Sequence, residues 1–249
     1  MNDFAAARQK ALDATPEGLS KDLLKEVFTE LISWPSATPG KPGYIDRDMP
    51  GPGYATWQEV MLLYLFAKYS QAQRPLEIGC AAGWSTVHIA LGLAPTVTLT
   101  CVDPFTETEG GLGGFRQASF MKFATHLRRA RLASVVKIHF VPSPDILPAI
   151  VPIDGWDFAF VDGWHFDGQP LKDVRTLQPL LSDDATLIMH DFFYPNVVEA
   201  CHWLTYHGWE MTRWDTPNQL VSFWREGHRP MWWYDLVADA EQLLGEHAL

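Results

Sequence analysis

From Pro75 onward the chain repeats one unit: a short apolar run, a break at glycine or an acid, then a stretch with helical periodicity. The apolar runs lie near 75–79, 97–102, 135–141, 157–162 and 185–190, with helical stretches near 84–93, 115–131, 145–150, 169–181 and 195–207. Strands interleaved with helices pair in parallel, because a parallel connection needs a long crossover, and the crossovers cover both faces of the sheet. The runs "FAFV" (158–161) and "ATLIM" (185–189) are apolar throughout, as buried central strands require. Beyond the last helix, "GWEMTRW" and "QLVSFWR" flank the turn "DTPN" and predict an antiparallel hairpin. The expected fold is α/β, a doubly wound, mostly parallel seven-stranded sheet ending in that hairpin.

The N-terminal part follows a different pattern. Residues 3–33 read as helical, with Leu23, Leu24, Val27, Phe28, Leu31 and Ile32 on one face. The stretch from Pro35 to Gly53 is too rich in proline and glycine for regular structure and reads as a linker or a covering loop. A helix over about 55–69 has an almost wholly apolar centre, "VMLLYLFA", suited to covering a sheet. The division expected is an N-terminal helical cap over 1–54, a catalytic domain over 55–228 and a C-terminal helix over 229–249. The apolar content of 47%, with 14 Phe and 11 Trp, suffices for a large core. A net charge of −11 disfavours a nucleic-acid partner, whose phosphates such a surface would repel. Cys80, Cys101 and Cys201 form no CxxC pair and no disulfide framework, which suits the cytoplasm. No segment reaches the ~20 apolar residues of a membrane span, and no membrane partner is expected.

The sharpest local signal is "PLEIGCAAGWSTVHIA", Pro75–Ala90, a strand, a glycine turn and a helix. A dinucleotide fingerprint would read GxGxxG, its third glycine allowing close helix–strand packing. Here the middle position is Ala81 and the third is Trp84, which disfavours a pyrophosphate on the helix N-terminus. Asp103 ends the next strand, where an acid can take both hydroxyls of a ribose. A ligand with a ribose and no pyrophosphate is the economical choice. This Glu-x-Gly-x-x-x-Gly turn, followed by a strand ending in Asp, resembles the cofactor site of class I S-adenosylmethionine-dependent methyltransferases over about residues 55–225. The resemblance implies a Rossmann-like fold, with the turn of Gly79, Ala81 and Gly83 against the methionine part of the cofactor. It implies Asp103 as the ribose ligand, Glu77 as support for the turn, and Ser143 near the adenine.

A second constellation closes the next two strands: Asp162 ends one, His190 and Asp191 the other. In open parallel sheets the carboxyl ends of the strands line the ligand crevice, so these groups face the same side as the glycine turn. Two carboxylates and an imidazole there can bind a hard divalent cation; an imidazole is a less natural Mg²⁺ ligand than a carboxylate, so such a site either prefers Mn²⁺ or uses His190 otherwise. The spacing Asp162, Gly163, His165, Asp173, followed by His190-Asp191, resembles metal-dependent small-molecule O-methyltransferases, notably those acting on macrolide sugars. That resemblance implies Asp162 and Asp191 as metal ligands with His190 at a position often occupied by an acid, and His165 as general base. Asp173 reads instead as a helix-surface or ion-paired residue, and Asp167 as a helix-capping acid before Pro170.

These readings combine into metal-assisted transfer of a methyl group from S-adenosylmethionine to a hydroxyl on a small molecule or glycosyl group. Two alternatives stay open at this point, an oxidoreductase or hydroxylase using a nucleotide cofactor on a related fold, and a non-catalytic S-adenosylmethionine-binding protein. The glycine-rich loop 107–114, the segment bearing Tyr44, Asp46, Arg47 and Asp48, and the aromatics Phe105, Trp164, Phe192, Phe193 and Tyr194 are candidates for enclosing the acceptor. The long N-terminal segment and the aromatic tail are candidate subunit contacts of a homo-oligomer.

Overall fold

A computed structural model of the chain describes residues 55–105 and 117–244. The readings of residues 3–33, 35–53 and 107–114 lie outside the described residues. Helix α1 (Trp57–Ser70) precedes strand β1 (Pro75–Ile78), then come α2 (Trp84–Gly92), β2 (Leu99–Val102), α3 (Gln117–Arg129) and β3 (Val136–His139). The second half runs α4 (Leu147–Ile150), β4 (Trp156–Val161), α5 (Gln169–Leu177), β5 (Leu181–Met189), α6 (Pro195–Tyr206), β6 (Trp209–Arg213), β7 (Val221–Arg225) and α7 (Trp233–Leu244).

The strands form one seven-stranded sheet in the order β3-β2-β1-β4-β5-β7-β6. Pairing is parallel from β3 through β5, and β7 joins β5 and β6 antiparallel, as the hairpin pattern predicts. Alternate residues of each central strand feed opposite cores. Phe158, Phe160 and Ile188 pack with α1, α2 and α7, whereas Ala159, Val161, Leu187 and Met189 pack with α5 and α6. The first core is closed by aromatic edges: Phe66 of α1 lies 5.5 Å from Trp214 and 6.3 Å from Trp233 between ring centroids. The described helices include none long and apolar enough to cross a membrane.

The largest difference from the sequence pattern lies between α5 and β5. The stretch read as a helix over 169–181 ends at Leu177, a 3₁₀ turn holds Gln178–Leu180, and β5 already begins at Leu181. Pro179 cannot donate to the helix ladder, so the helix stops there. The polar start of β5, Ser182 to Asp184, concealed the strand because its side chains are not in the core.

Strand order reverses between β1 and β4, since β2 and β3 continue to one side and β5 to the other. The crevice beyond the carboxyl ends of β1 and β4 is therefore the place for a ligand. Phe66 is fully buried among the tryptophans that seat α1 and α7. Phe66→Ala should cost about 3–5 kcal/mol in urea unfolding; a loss below about 1 kcal/mol would contradict this packing.

Candidate active site

The turn after β1 alternates into left-handed backbone, with φ of 86° at Gly79, 42° at Ala81 and 81° at Gly83. A Cβ on Gly79 would stand 2.1 Å from the carbonyl oxygen of Asp162, so no other residue fits where β1 and β4 run closest. Ala81 enters the same region with a side chain, at a cost of roughly 1–2 kcal/mol. Asp103 holds the turn in that shape. Its Oδ2 accepts the backbone N–H groups of Cys80 (2.8 Å) and Ala81 (2.9 Å), and its Oδ1 accepts that of Phe105 (2.7 Å). A carboxylate has about four acceptor positions, which leaves capacity for a hydroxyl. Glu77 lies beneath the turn, wholly buried, accepting hydrogen bonds from Ser85 of α2 and from the Cys101 thiol at 3.4 Å. It supports the turn and has no exposed atom to offer a ligand.

Across the crevice, four side chains from the ends of β4 and β5 converge. His165 Nε2 lies 3.2 Å from Asp162 Oδ1 and 3.1 Å from Asp191 Oδ2. His190 Nδ1 lies 3.4 Å from the same Asp162 oxygen and 3.3 Å from the same Asp191 oxygen. The ligand atoms of Asp162, His165 and Asp191 all fall within 4.8 Å of one another, a spacing that can hold a metal ion. Asp191 reaches this point from a left-handed bend, φ 62°, just past β5. The His165 ring stacks on Tyr194 at 4.9 Å and 9°, and Asn196 Nδ2 donates to the His165 carbonyl oxygen at 3.1 Å. Of the two imidazoles, His165 is the one solvent reaches, at 21% side-chain exposure against 2% for His190.

The charges are strongly interdependent. Burial would raise the Asp162 carboxyl, but the facing imidazoles of His190 and His165 outweigh it and hold the group below the usual carboxylate range. Burial would lower both histidines, yet the adjoining carboxylates push His165 up, and His190 well up. Two carboxylates gathered here thus create a demand for positive charge.

The structure brings together Asp162, His165, His190 and Asp191, and places Glu77, Gly79, Ala81, Gly83 and Asp103 in and around one turn. Ser143 is buried, its hydroxyl donating to Oδ1 of Asp173, which also accepts from Gln169 Nε2 at 2.9 Å and lines the same pocket as Asp162, His165 and His190. Asp173 is not the surface residue its helix position suggested. It is 1% exposed, and burial pushes its carboxyl up to about 6. Asp167 does not cap α5 either: Gly168 is the capping residue, and Asp167 accepts from Trp164 Nε1 at 3.3 Å. Sequence reasoning missed Glu59, which is fully buried in α1 with one carboxylate oxygen 3.1 Å from His190 Nε2. Its one visible signal was the Thr56-x-x-Glu59 capping pattern.

Burial pushes Glu77 up from 4.5 to about 7, against the hydrogen bonds from Ser85, Thr86 and Cys101. A carboxyl raised on folding stabilises the fold below its unfolded pKa and loses that contribution as pH rises through the folded value. Relative to Glu77→Gln, the wild-type chain should therefore lose roughly 2–3 kcal/mol of unfolding free energy between pH 5 and pH 8. Parallel pH dependences in urea titrations of the two proteins would contradict the burial of an ionisable group here.

A family model described as a methyltransferase domain matches residues 76–192, from β1 through the Asp191 bend. Among solved structures, the O-methyltransferase TomG from Streptomyces achromogenes, in complex with SAM and involved in tomaymycin synthesis, is 19% identical with a TM-score of 0.57, covering 70% of this chain and 82% of that one. The O-methyltransferase from Bacillus cereus in complex with SAH is 14% identical with a TM-score of 0.60, over 90% of this chain and 99% of that one. Cofactor-bound Rv0187 from MTB is 18% identical with a TM-score of 0.61, over 88% and 96%. No curated protein matches the chain. The family match spans the glycine turn and the strand-end acids, and the solved O-methyltransferases share the fold: the chain has a Rossmann-like methyltransferase fold and is similar to a methyltransferase domain over residues 76–192.

Proposed function

We propose that the protein transfers a methyl group from S-adenosylmethionine to a hydroxyl oxygen of a small molecule, with a divalent cation held at the strand-end cluster. The observation that carries the reading is the juxtaposition, across one crevice, of the Asp103-braced glycine turn and the Asp162–His165–His190–Asp191 cluster. The neighbours solved with SAM and SAH favour that nucleoside as cofactor. Free, buried thiols at Cys80, Cys101 and Cys201 favour a cytoplasmic setting.

A cation fits the cluster. His190 Nδ1 is buried, lacks a hydrogen-bond partner, and faces two carboxylate oxygens at 3.3–3.4 Å. Asp162, Asp191 and His190 would hold Mg²⁺ or Mn²⁺, the mixed nitrogen and oxygen donors leaning toward Mn²⁺. Such an ion would supply Lewis-acid activation of the acceptor hydroxyl, and the cofactor a sulfonium methyl group. The protein's own part is orientation and proton transfer. Asp103 and the backbone of Gly79 and Gly83 seat the nucleoside, and the crevice sets acceptor and methyl donor in contact, which removes the entropic cost of encounter. His165, at the solvent-facing side and stacked on Tyr194, is placed to take the hydroxyl proton; its Nε2 faces Asp162 and Asp191, and a cation on those carboxylates would free that nitrogen to accept it. Phe192, Phe193 and Tyr194 follow directly and can wall the acceptor.

An oxidoreductase reading has less support, because Trp84 begins α2 where a dinucleotide turn needs glycine. In thermal unfolding, S-adenosylhomocysteine at 100 times its Kd should raise Tm by about 5–10 °C, and NADH should not. Release of S-adenosylhomocysteine across a panel of phenols, catechols and glycosides should fall by ~10²–10⁴-fold in His165→Ala, with nucleoside affinity unchanged. Stabilisation by NADH alone would reverse the assignment, and turnover indifferent to EDTA would remove the cation from it.

A further inference from the structure

The capping role of Glu59 does not account for its surroundings. A capping glutamate at the third helical position needs only the first residues of its own helix, and here Thr56 supplies them, through N at 2.6 Å and Oγ1 at 3.0 Å. Such residues ordinarily lie at the surface, whereas Glu59 has no exposure at all. It also accepts from Asn218, through the backbone N at 2.6 Å and Nδ2 at 3.0 Å, which ties it to the turn between β6 and β7. With four donors fixing its position, Glu59 presents Oε2 3.1 Å from His190 Nε2, while the far side of the ring, Nδ1, faces Asp162 and Asp191. Neither ring nitrogen makes an aligned hydrogen bond, so the ring is oriented by charge on both sides.

We propose that Glu59 is a positioning residue for the divalent-cation site, its fixed charge holding Nε2 of His190 toward α1 so that Nδ1 faces Asp162 and Asp191, where a cation would replace the Nδ1 proton. The inference rests on the cation reading given above and extends it to a residue outside the crevice. Its physical basis is general: an imidazole ligand commonly donates its remote N–H to a carboxylate, which selects the tautomer, fixes the ring and raises its basicity. Neutral histidine alone would divide between two tautomers and could turn Nδ1–H toward the cation. A fixed anion at Nε2 removes that state. Glu59 comes from the helix that precedes the family-matched region, so the site depends on a segment the match from residue 76 does not include.

The test is a Mn²⁺ titration of the full chain, with free Mn²⁺ read by electron paramagnetic resonance, in four proteins: wild type, Glu59→Gln, His190→Asn and the double variant. Glu59→Gln should bind Mn²⁺ ~10–100-fold more weakly than wild type. Its S-adenosylhomocysteine affinity, measured by calorimetry, should be unchanged. In the His190→Asn background, adding Glu59→Gln should cause no further loss, since the effect passes through the imidazole. Wild-type Mn²⁺ affinity in Glu59→Gln would overturn the inference, as would an equal loss in both backgrounds or a parallel loss of nucleoside affinity. If Glu59→Gln does not fold, Glu59→Asp, which keeps the charge but withdraws it from the ring, serves the same comparison. Failure of the wild-type chain to bind Mn²⁺ would remove the cation reading itself, and this inference with it.

Discussion

The close approach of β1 and β4 at Gly79 sets the geometry of everything around it. The two strands lie on either side of the reversal in strand order, and Asp162 N donates to the Ile78 carbonyl at 2.8 Å as the sheet continues past its formal ends. With no side chain at residue 79, the turn can lie against the Asp162 backbone. The glycine turn and the first acid of the second cluster are thereby fixed within one small framework. Backbone just past the strand ends positions both halves of the proposed site, which suits a reaction that needs donor and acceptor in contact.

Buried charge organises the second half of the site. Asp162, Asp191 and Glu59 surround His190, and Asp162 and Asp191 also face His165, so three acids meet two imidazoles, with no arginine or lysine among the described residues at these contacts. Removing one partner from such a group leaves an uncompensated buried charge, which is strongly destabilising. Glu59 is the link between this cluster and the rest of the fold, because its other partners lie in α1 and in the hairpin turn. A carboxylate so enclosed is held below its ordinary value despite burial, by the His190 charge and by the donors from Thr56 and Asn218.

Much of this was legible in the chain. Short apolar runs broken by Gly79, Asp103, Asp162 and His190-Asp191 marked both the strands and the residues at their ends, because in a parallel sheet the end of a strand is also the wall of the crevice. The departure at Ala81 from a glycine-rich turn changed nothing in shape, since alanine enters the left-handed region there. Contacts between distant segments were not legible. Asp173 sits between Lys172 and Val174 on a helix, and nothing local reveals that Ser143 donates to it from a distant segment. Glu59 reads as a capping residue because its cap is local, whereas its bonds to Asn218 and its contact with His190 span most of the chain. The end of α5 was missed for a different reason: Leu177 and Leu181 continue the helical spacing past Pro179, and the polar residues 182–184 hide the start of β5.

The most direct measurement is a crystal structure of the full chain grown with S-adenosylhomocysteine and Mn²⁺, recorded at a wavelength where manganese scatters anomalously. The nucleoside should lie over the Gly79–Gly83 turn with its ribose at Asp103, and a single anomalous peak should stand among Asp162, Asp191 and His190. A nucleoside bound elsewhere, or an ordered nucleoside with no peak among those three side chains, would contradict the account.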